Sequence, residues 1–485
     1  MAARIYTSFI DGQWLPESGR VVNRENPGRI DEIATRFCGA NVGDARRAMD
    51  CAAKAFPDWA DVSPADRIGI LSNALNFLER SSERIAKLIT KENGKTIADS
   101  RAEIAAALCD SRHHLEDARK ALRVRGRRLD DGVSTALRRE SVGVYALITP
   151  WNFPLATILR KLVPALAFGN TVVVKPSELT SGVACEWFGI LAEQGLPAGV
   201  ANLALGRGRS IGSALVEHEA LRGISFTGST ANGLSLASGV AGRDVRLQIE
   251  MGGKNSLLVL ADANLEAAVE AALVAGFSCA GQWCTGTGRV IVEAPVAEAF
   301  CEALVAKAKR ISVGPGHLKG SQVGALISKD RMGAARKAVS VALAEGSHVA
   351  CGGNGAQTER SGRGYFFEPT VLTGVSETST AYTEEMFLPI LPVAVAKDFD
   401  DGIRMANLGT LGLSASIFTN NRQKGEAFCH RVEAGIVHAN LHTAFRVSDL
   451  PVAAWRDSGR GVPECGDFGS SFFTKPRAVY TRNLV

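Results

Sequence analysis

VGVYALITPWNFP, residues 142–154, decides how this chain folds. Its apolar run ends in a loop bounded by prolines and gives way to helical spacing from about Pro154. The same change recurs downstream, where TVVVK (171–175), ANLAL (201–205), GISF (223–226) and VRLQI (245–249) are separated by helix-length segments beginning near Thr180, Ser210 and Ser229. Apolar strands alternating with helices are βαβ units. They predict an α/β chain with a parallel, doubly wound sheet and ligands at the C-terminal ends of its strands. The candidate functional residues fall at those ends: Trp151, Asn152 and Phe153 after the first strand, Lys175, Ser177 and Glu178 after the second, Gly228 and Ser229 after the fourth, Glu250 after the fifth.

Outward from this core, a second alternating set runs from Asn255 to about Trp455. NSLLVL (255–260), RVIVE (289–293) and SASIFT (414–419) interleave there with helices near 264–279 and 295–310. Upstream, Asp11-Gly12 reads as a short hairpin turn. Asp44 opens a helix with Ala45, Ala48, Met49, Ala52 and Phe56 on one face, and Ser63-Pro64 starts another. Ser100-Arg101-Ala102-Glu103 reads as a capping box before Ile104. Arg123, Arg125 and Arg127 alternate along a predicted strand before a turn at Asp131-Gly132, and the tail SSFFTKPRAVYTRNLV (470–485) has the composition of a strand that pairs with it.

A chain of 485 residues is too long for one simple core, so two large domains with a small appendage are expected. The net charge of +5 is mild for this length and gives no case for a nucleic-acid partner. The arginine-rich hairpin reads as a solvated or subunit-facing surface, because aspartates follow it at once and no aromatics interleave. The ten cysteines form no CxxC, and the N-terminus lacks a signal-like apolar run. Reduced thiols in a cytoplasmic protein are expected, with no membrane span and no metal site, since no HExxH occurs.

GQWCTGTGRV (281–290) carries the reactive candidate. Cys284 sits among small residues whose backbone N–H groups are free to stabilise an oxyanion, and Glu250 in EMGGK (250–254) is a nearby carboxylate able to act as a base. Cys279, at the end of an apolar helix, reads as an inert buried thiol. One rival exists: Gly208-Arg209-Ser210-Ile211-Gly212 satisfies GxSxG in a strand–turn–helix context, which would make Ser210 a hydrolase nucleophile. The Gly206-Arg207-Gly208 run fails the dinucleotide fingerprint because Ile211 takes the place of its third glycine.

PWNFP (150–154), KPSE (175–178), FTGS (226–229), EMGGK (250–254), GQWC (281–284) and EEMFLP (384–389) stand in the order and approximate spacing found in the aldehyde dehydrogenase superfamily, which this chain resembles over most of its length. The resemblance implies two parallel-sheet Rossmann-like domains plus a small β oligomerisation element. Residues 1–121 and 142–251 would bind the nucleotide, 252–455 would be catalytic, and 122–141 with 456–485 would mediate a homodimer or homotetramer. It implies oxidation of an aldehyde to an acid through a thiohemiacetal and a thioester on Cys284, with Asn152 binding the oxyanion and Glu250 as general base.

The cofactor implied is NAD, with NADP as a second option, held by Trp151, Lys175, Ser177, Glu178, Gly228, Ser229, Glu385 and Phe387. The Glu178 carboxylate would accept hydrogen bonds from the ribose hydroxyls and repel a 2′-phosphate. Phe153, Arg160, Trp283 and Thr285 would face the substrate. Arg160 matches an arginine that binds the substrate carboxylate in succinic semialdehyde dehydrogenases, but Ser278 occupies the place of that subgroup's second arginine. The C-terminal run is similar to α-ketoglutaric semialdehyde dehydrogenases. Leu388, Gly288 and Pro451-Val452-Ala453-Ala454 depart from the family pattern, and an inactive relative serving as a binding or structural protein is the third reading.

Overall fold

The computed structural model describes residues 4–130, 132–356 and 363–482. The first sheet runs, edge to edge, through Gly459–Gly461, Arg246–Glu250, Leu221–Thr227, Val144–Ile148, Thr171–Lys175, Ala201–Leu203, Phe9–Ile10 and Gln13–Trp14. Five successive strands, from Arg246–Glu250 to Ala201–Leu203, are parallel, and Gly459–Gly461 and Phe9–Ile10 flank them antiparallel. Tyr145 and Leu147 point into one apolar layer, with Leu159, Leu162 and Phe188. Val144 and Ala146 point into the opposite layer, with Ala48, Met49 and Ile211. Burial on both faces is why this strand reads as a continuous apolar run, each large side chain adding about 1.5–3 kcal/mol.

The second sheet is ordered His348–Cys351, Thr370–Thr373, Ile390–Ala396, Arg289–Glu293, Ser256–Val259, Ser414–Phe418, Ile436–Ala439, and is parallel except for its first strand. A third sheet joins Arg125–Arg128, Val133–Ser141 and Thr474–Arg482. The tail pairs along its whole length, from Thr474 opposite Ser141 to Arg482 opposite Val133. Upstream of it, Gly459–Gly461 adds to the edge of the first sheet beside Arg246–Glu250, so the segment after Trp455 does not serve the third sheet alone. Among the described residues, no helix is long and apolar enough to cross a membrane.

Two local expectations change. Ser100 and Glu103 do not cap the helix they belong to: Thr96 caps Ile97–Ala121 by accepting from Asp99 N, and both residues lie inside that helix. Ser100 instead hydrogen-bonds Thr90, and Glu103 reaches Lys95 and two distant backbone amides. Of the three alternating arginines, Arg125 and Arg127 are in the strand, whereas Arg123 precedes it. In the expected turn, Gly132 has φ of 79° and Asp131 lies outside the described residues.

Candidate active site

Strand register builds the site. Ile148 pairs with both Lys175 and Phe226, and Thr227 pairs with Glu250, so the four strand ends emerge on one rim. Lys175 is buried, which lowers its pKa, and its ammonium donates to Pro176 O at 3.0 Å. Ser177 accepts from Leu179 N and turns the chain so that Glu178 is half-buried beside Lys175. Gly228 N donates to Glu250 O at 3.1 Å, and a Cβ on Gly228 would lie 2.5 Å from the Phe226 ring, leaving no room for a side chain. Ser229 begins the helix Thr230–Gly239 without capping it through its side chain, so the first-turn amides face outward. Across the cleft, Glu385 accepts from Gly253 N at 3.1 Å, and Trp151 meets Phe387 edge to face at 5.7 Å. Arg331 holds that second loop by donating to Met386 O and Phe387 O.

The Cys284 loop is made by an unusual reversal. After the helix Leu265–Phe277, Cys279, Ala280 and Gly281 all have positive φ, at 52°, 56° and 67°. Two non-glycine residues in succession there carry backbone strain that tertiary contacts must offset. Asn255 provides such contacts, donating to Cys284 O at 2.8 Å and Gly286 O at 2.7 Å while accepting from Ser414 N. Asn152 donates its amide to Gln282 O at 3.1 Å, which sets it beside the loop. The Thr285 N–H is directed at the Cys284 sulfur, and Phe153 packs against Trp283 at 5.6 Å. Burial pushes the Cys284 thiol up to about 11, helped by Glu385 and Glu250 and opposed by Arg160 and the Thr285 amide. The resting sulfur is therefore a thiol. Cys279 is buried and held still higher, as expected of an inert thiol.

Glu250 is buried, one carboxylate oxygen has no hydrogen-bond partner, and Glu464 N donates to the group. Burial and the charge of Glu464 raise its pKa well above the ordinary range, against the pull of Lys161 and Arg160. Behind it lies a charge cluster. Lys161 pairs with Glu464, Arg160 lies 3.4 Å from Asp110 and 3.8 Å from Glu464, and Arg446 grips Asp110 with both terminal nitrogens, Nη2 donating to its two oxygens at 2.5 and 2.6 Å and Nη1 at 3.3 and 3.0 Å. The Nε groups of Arg160 and Arg446 are buried without acceptors. Cys465, at φ 64°, feels both guanidinium groups and shares a small apolar cluster with Cys284.

Thus Cys284, Asn152 and Glu250 converge on one cleft with the predicted cofactor residues on one flank. Ser210 does not belong to it. That residue is exposed in the first turn of Gly208–Val216 with ordinary φ, so the strained elbow of a hydrolase nucleophile is missing. Gln282, Asn255, Asp110, Arg446 and Glu464 were not singled out from sequence. Arg446 in HTAFRVSDL and Glu464 in GVPECG carry no local signal beyond their charge.

The aldehyde dehydrogenase family model matches residues 14–479. The chain belongs to the aldehyde dehydrogenase family. It is 32% identical over 481 residues to an alpha-ketoglutaric semialdehyde dehydrogenase of Bacillus subtilis, covering 98% of each chain. It is 35% identical to an alpha-ketoglutarate semialdehyde dehydrogenase of Haloferax volcanii, again with 98% of each covered. Among solved structures, a betaine aldehyde dehydrogenase from Staphylococcus aureus in complex with NAD+ superposes with a TM-score of 0.93 at 28% identity, over 98% of this chain and 95% of that one. This aldehyde dehydrogenase is accordingly an oxidoreductase that oxidises an aldehyde with a nicotinamide dinucleotide. Its rim suits such a cofactor, because a helix N-terminus without a side-chain cap and the buried, unpartnered Thr227 hydroxyl offer donors to a pyrophosphate.

Proposed function

We propose that the enzyme oxidises an acid semialdehyde, an aldehyde with a carboxylate at its far end, to a dicarboxylic acid, with NAD as the preferred cofactor. The observation that carries the substrate class is the pair of guanidinium groups, Arg160 and Arg446, converging on one buried Asp110 beside Cys284 and Cys465. Three cations, Arg160, Lys161 and Arg446, face two carboxylates, Asp110 and Glu464, while Glu250 is driven toward its neutral form. One positive charge is left over for an anionic substrate, and guanidinium suits a carboxylate. Arg446 supplies from the C-terminal loop the second arginine that Ser278 does not. The semialdehyde dehydrogenases among the relatives support the same class.

In this reading, the ionised fraction of Glu250 takes the Cys284 proton through the oxygen left unpartnered, and the thiolate attacks the aldehyde carbon. The resulting oxyanion accepts from Asn152 Nδ2–H and a loop amide. The nicotinamide, when bound, supplies the two-electron acceptor. A thioester on Cys284 remains, and Glu250, once it has released the first proton to solvent, deprotonates the water that hydrolyses it, the Cys284 sulfur leaving as a thiolate that takes up a proton. Lys175, Ser177, Glu178, Gly228 and Ser229 would hold the adenosine and pyrophosphate, with Trp151, Glu385 and Phe387 at the other end. Glu178 favours NAD by repelling a 2′-phosphate. The edge strand Thr474–Arg482, with Tyr480 73% exposed, supports a homodimer or homotetramer, and ten free thiols support a reducing, cytoplasmic setting.

The test is a panel of neutral and carboxylated aldehydes with the parent enzyme, Arg160→Ala and Arg446→Ala. Each substitution should lower kcat/KM for carboxylated aldehydes by about 10- to 100-fold more than for neutral ones. Equal losses on both classes would remove the semialdehyde reading and leave aldehyde oxidation standing.

A further inference from the structure

The loop carrying Asn152 lies between a strand and a helix, yet its backbone is held at four points by one remote segment. Asn93 Nδ2 donates to Trp151 O at 2.8 Å, and Lys95 Nζ donates to Asn152 O at 2.5 Å. Glu103 accepts from Leu155 N at 2.9 Å and Ala156 N at 3.1 Å, capping a helix that lacks a side-chain cap of its own. Lys95 and Glu103 pair at 2.9 Å, with their side chains 1% and 0% exposed, and the ammonium lies 4.1 Å from the centre of the Phe153 ring. A buried ion pair is a poor source of net stability compared with apolar packing, but it fixes direction. Here the bonds it directs go to the carbonyl of Asn152 and to the amides of Leu155 and Ala156, while Asn93 holds the peptide before Asn152, whose side chain donates to Gln282 O.

We propose that Lys95 and Glu103 are positioning residues for the oxidation, holding the main chain of 151–156 so that the Asn152 amide points at the oxygen of the Cys284 adduct. The proposal rests on the reading of Asn152 as oxyanion donor. Neither residue touches the substrate. They act through one loop, and an error of about 1 Å in such a donor costs roughly 100-fold in rate.

A double-mutant cycle on the full-length enzyme tests this, with Lys95→Met, Asn152→Ala and the double variant compared for kcat, KM, NAD affinity and the rate of Cys284 alkylation by iodoacetamide. Lys95→Met should lower kcat by about 100-fold, with aldehyde KM, NAD affinity and alkylation rate changed by no more than about threefold. In the Asn152→Ala background, the same change should cost no more than about a further threefold, because the amide it positions is gone. A full additive loss there, or parallel losses in NAD affinity and alkylation, would mean a general packing role and overturn the proposal. If Asn152→Ala is crippled while Lys95→Met is not, the positioning proposal falls alone. If Asn152→Ala keeps its kcat, the oxyanion reading falls and takes the proposal with it. Should Lys95→Met melt too low to assay, Glu103→Gln runs the same cycle, and additivity there has the same meaning.

Discussion

The two flanks of the cleft are built differently. The proposed cofactor flank draws Lys175, Ser177, Glu178, Gly228 and Ser229 from one run of βαβ units, and backbone register sets their strand ends side by side. The proposed substrate flank assembles Asp110, Arg160, Cys284, Arg446 and Glu464, with bonded partners up to 336 residues apart, and salt bridges join its charged members. A strand end tolerates changes in its neighbours because the sheet fixes it. A charge cluster is only as good as its balance, so losing one member leaves another buried and unpaired.

Substitutions can pull the flanks apart. Cys284→Ala should lower NADH production by at least about 10,000-fold while NAD binding, measured by protein fluorescence, stays within about twofold. Joint loss of both would mean the flanks are one unit. Glu250→Gln should cost about 100- to 10,000-fold in kcat, and parent activity should rise with pH until Glu250 ionises. Burial keeps Glu250 protonated far above the ordinary 4.5, so the folded enzyme binds a proton that the unfolded chain releases. Its contribution to stability therefore falls as pH rises above about 4.5. Glu250→Gln should melt higher than the parent at pH 8 and level with it at pH 4, and a lower melting point at pH 8 would show that the carboxylate is charged at rest. The smallest effect is on the cofactor side. Glu178→Gln should improve NADP kcat/KM by roughly tenfold by removing a charge near the 2′ position, with NAD turnover little changed.

The difference between the flanks also explains what could be read from the chain. VGVYALIT and TVVVK are apolar without break because helices cover both faces, so strand type and the position of strand ends followed from pattern. The cleft residues at those ends came with them. Ser100 and Glu103 misled because a capping-box spacing is local, whereas the Glu103 carboxylate is committed to amides 52 and 53 residues away. Arg446 and Glu464 sit in short irregular segments where no periodicity marks them, and only the closing of the fold brings them to Asp110 and Lys161. Arg160 was legible as a cation on a helix, but not as one already engaged by two acids.

The left-handed turn before Cys284 has a mechanical consequence. A Cβ on Gly281 would run into the carbonyl of Leu388, so the segment bearing the sulfur and the segment bearing Glu385 and Phe387 are packed with no spare thickness between them. A displacement of either segment would be felt by the other, and a bulkier residue at 281 would wedge the two apart.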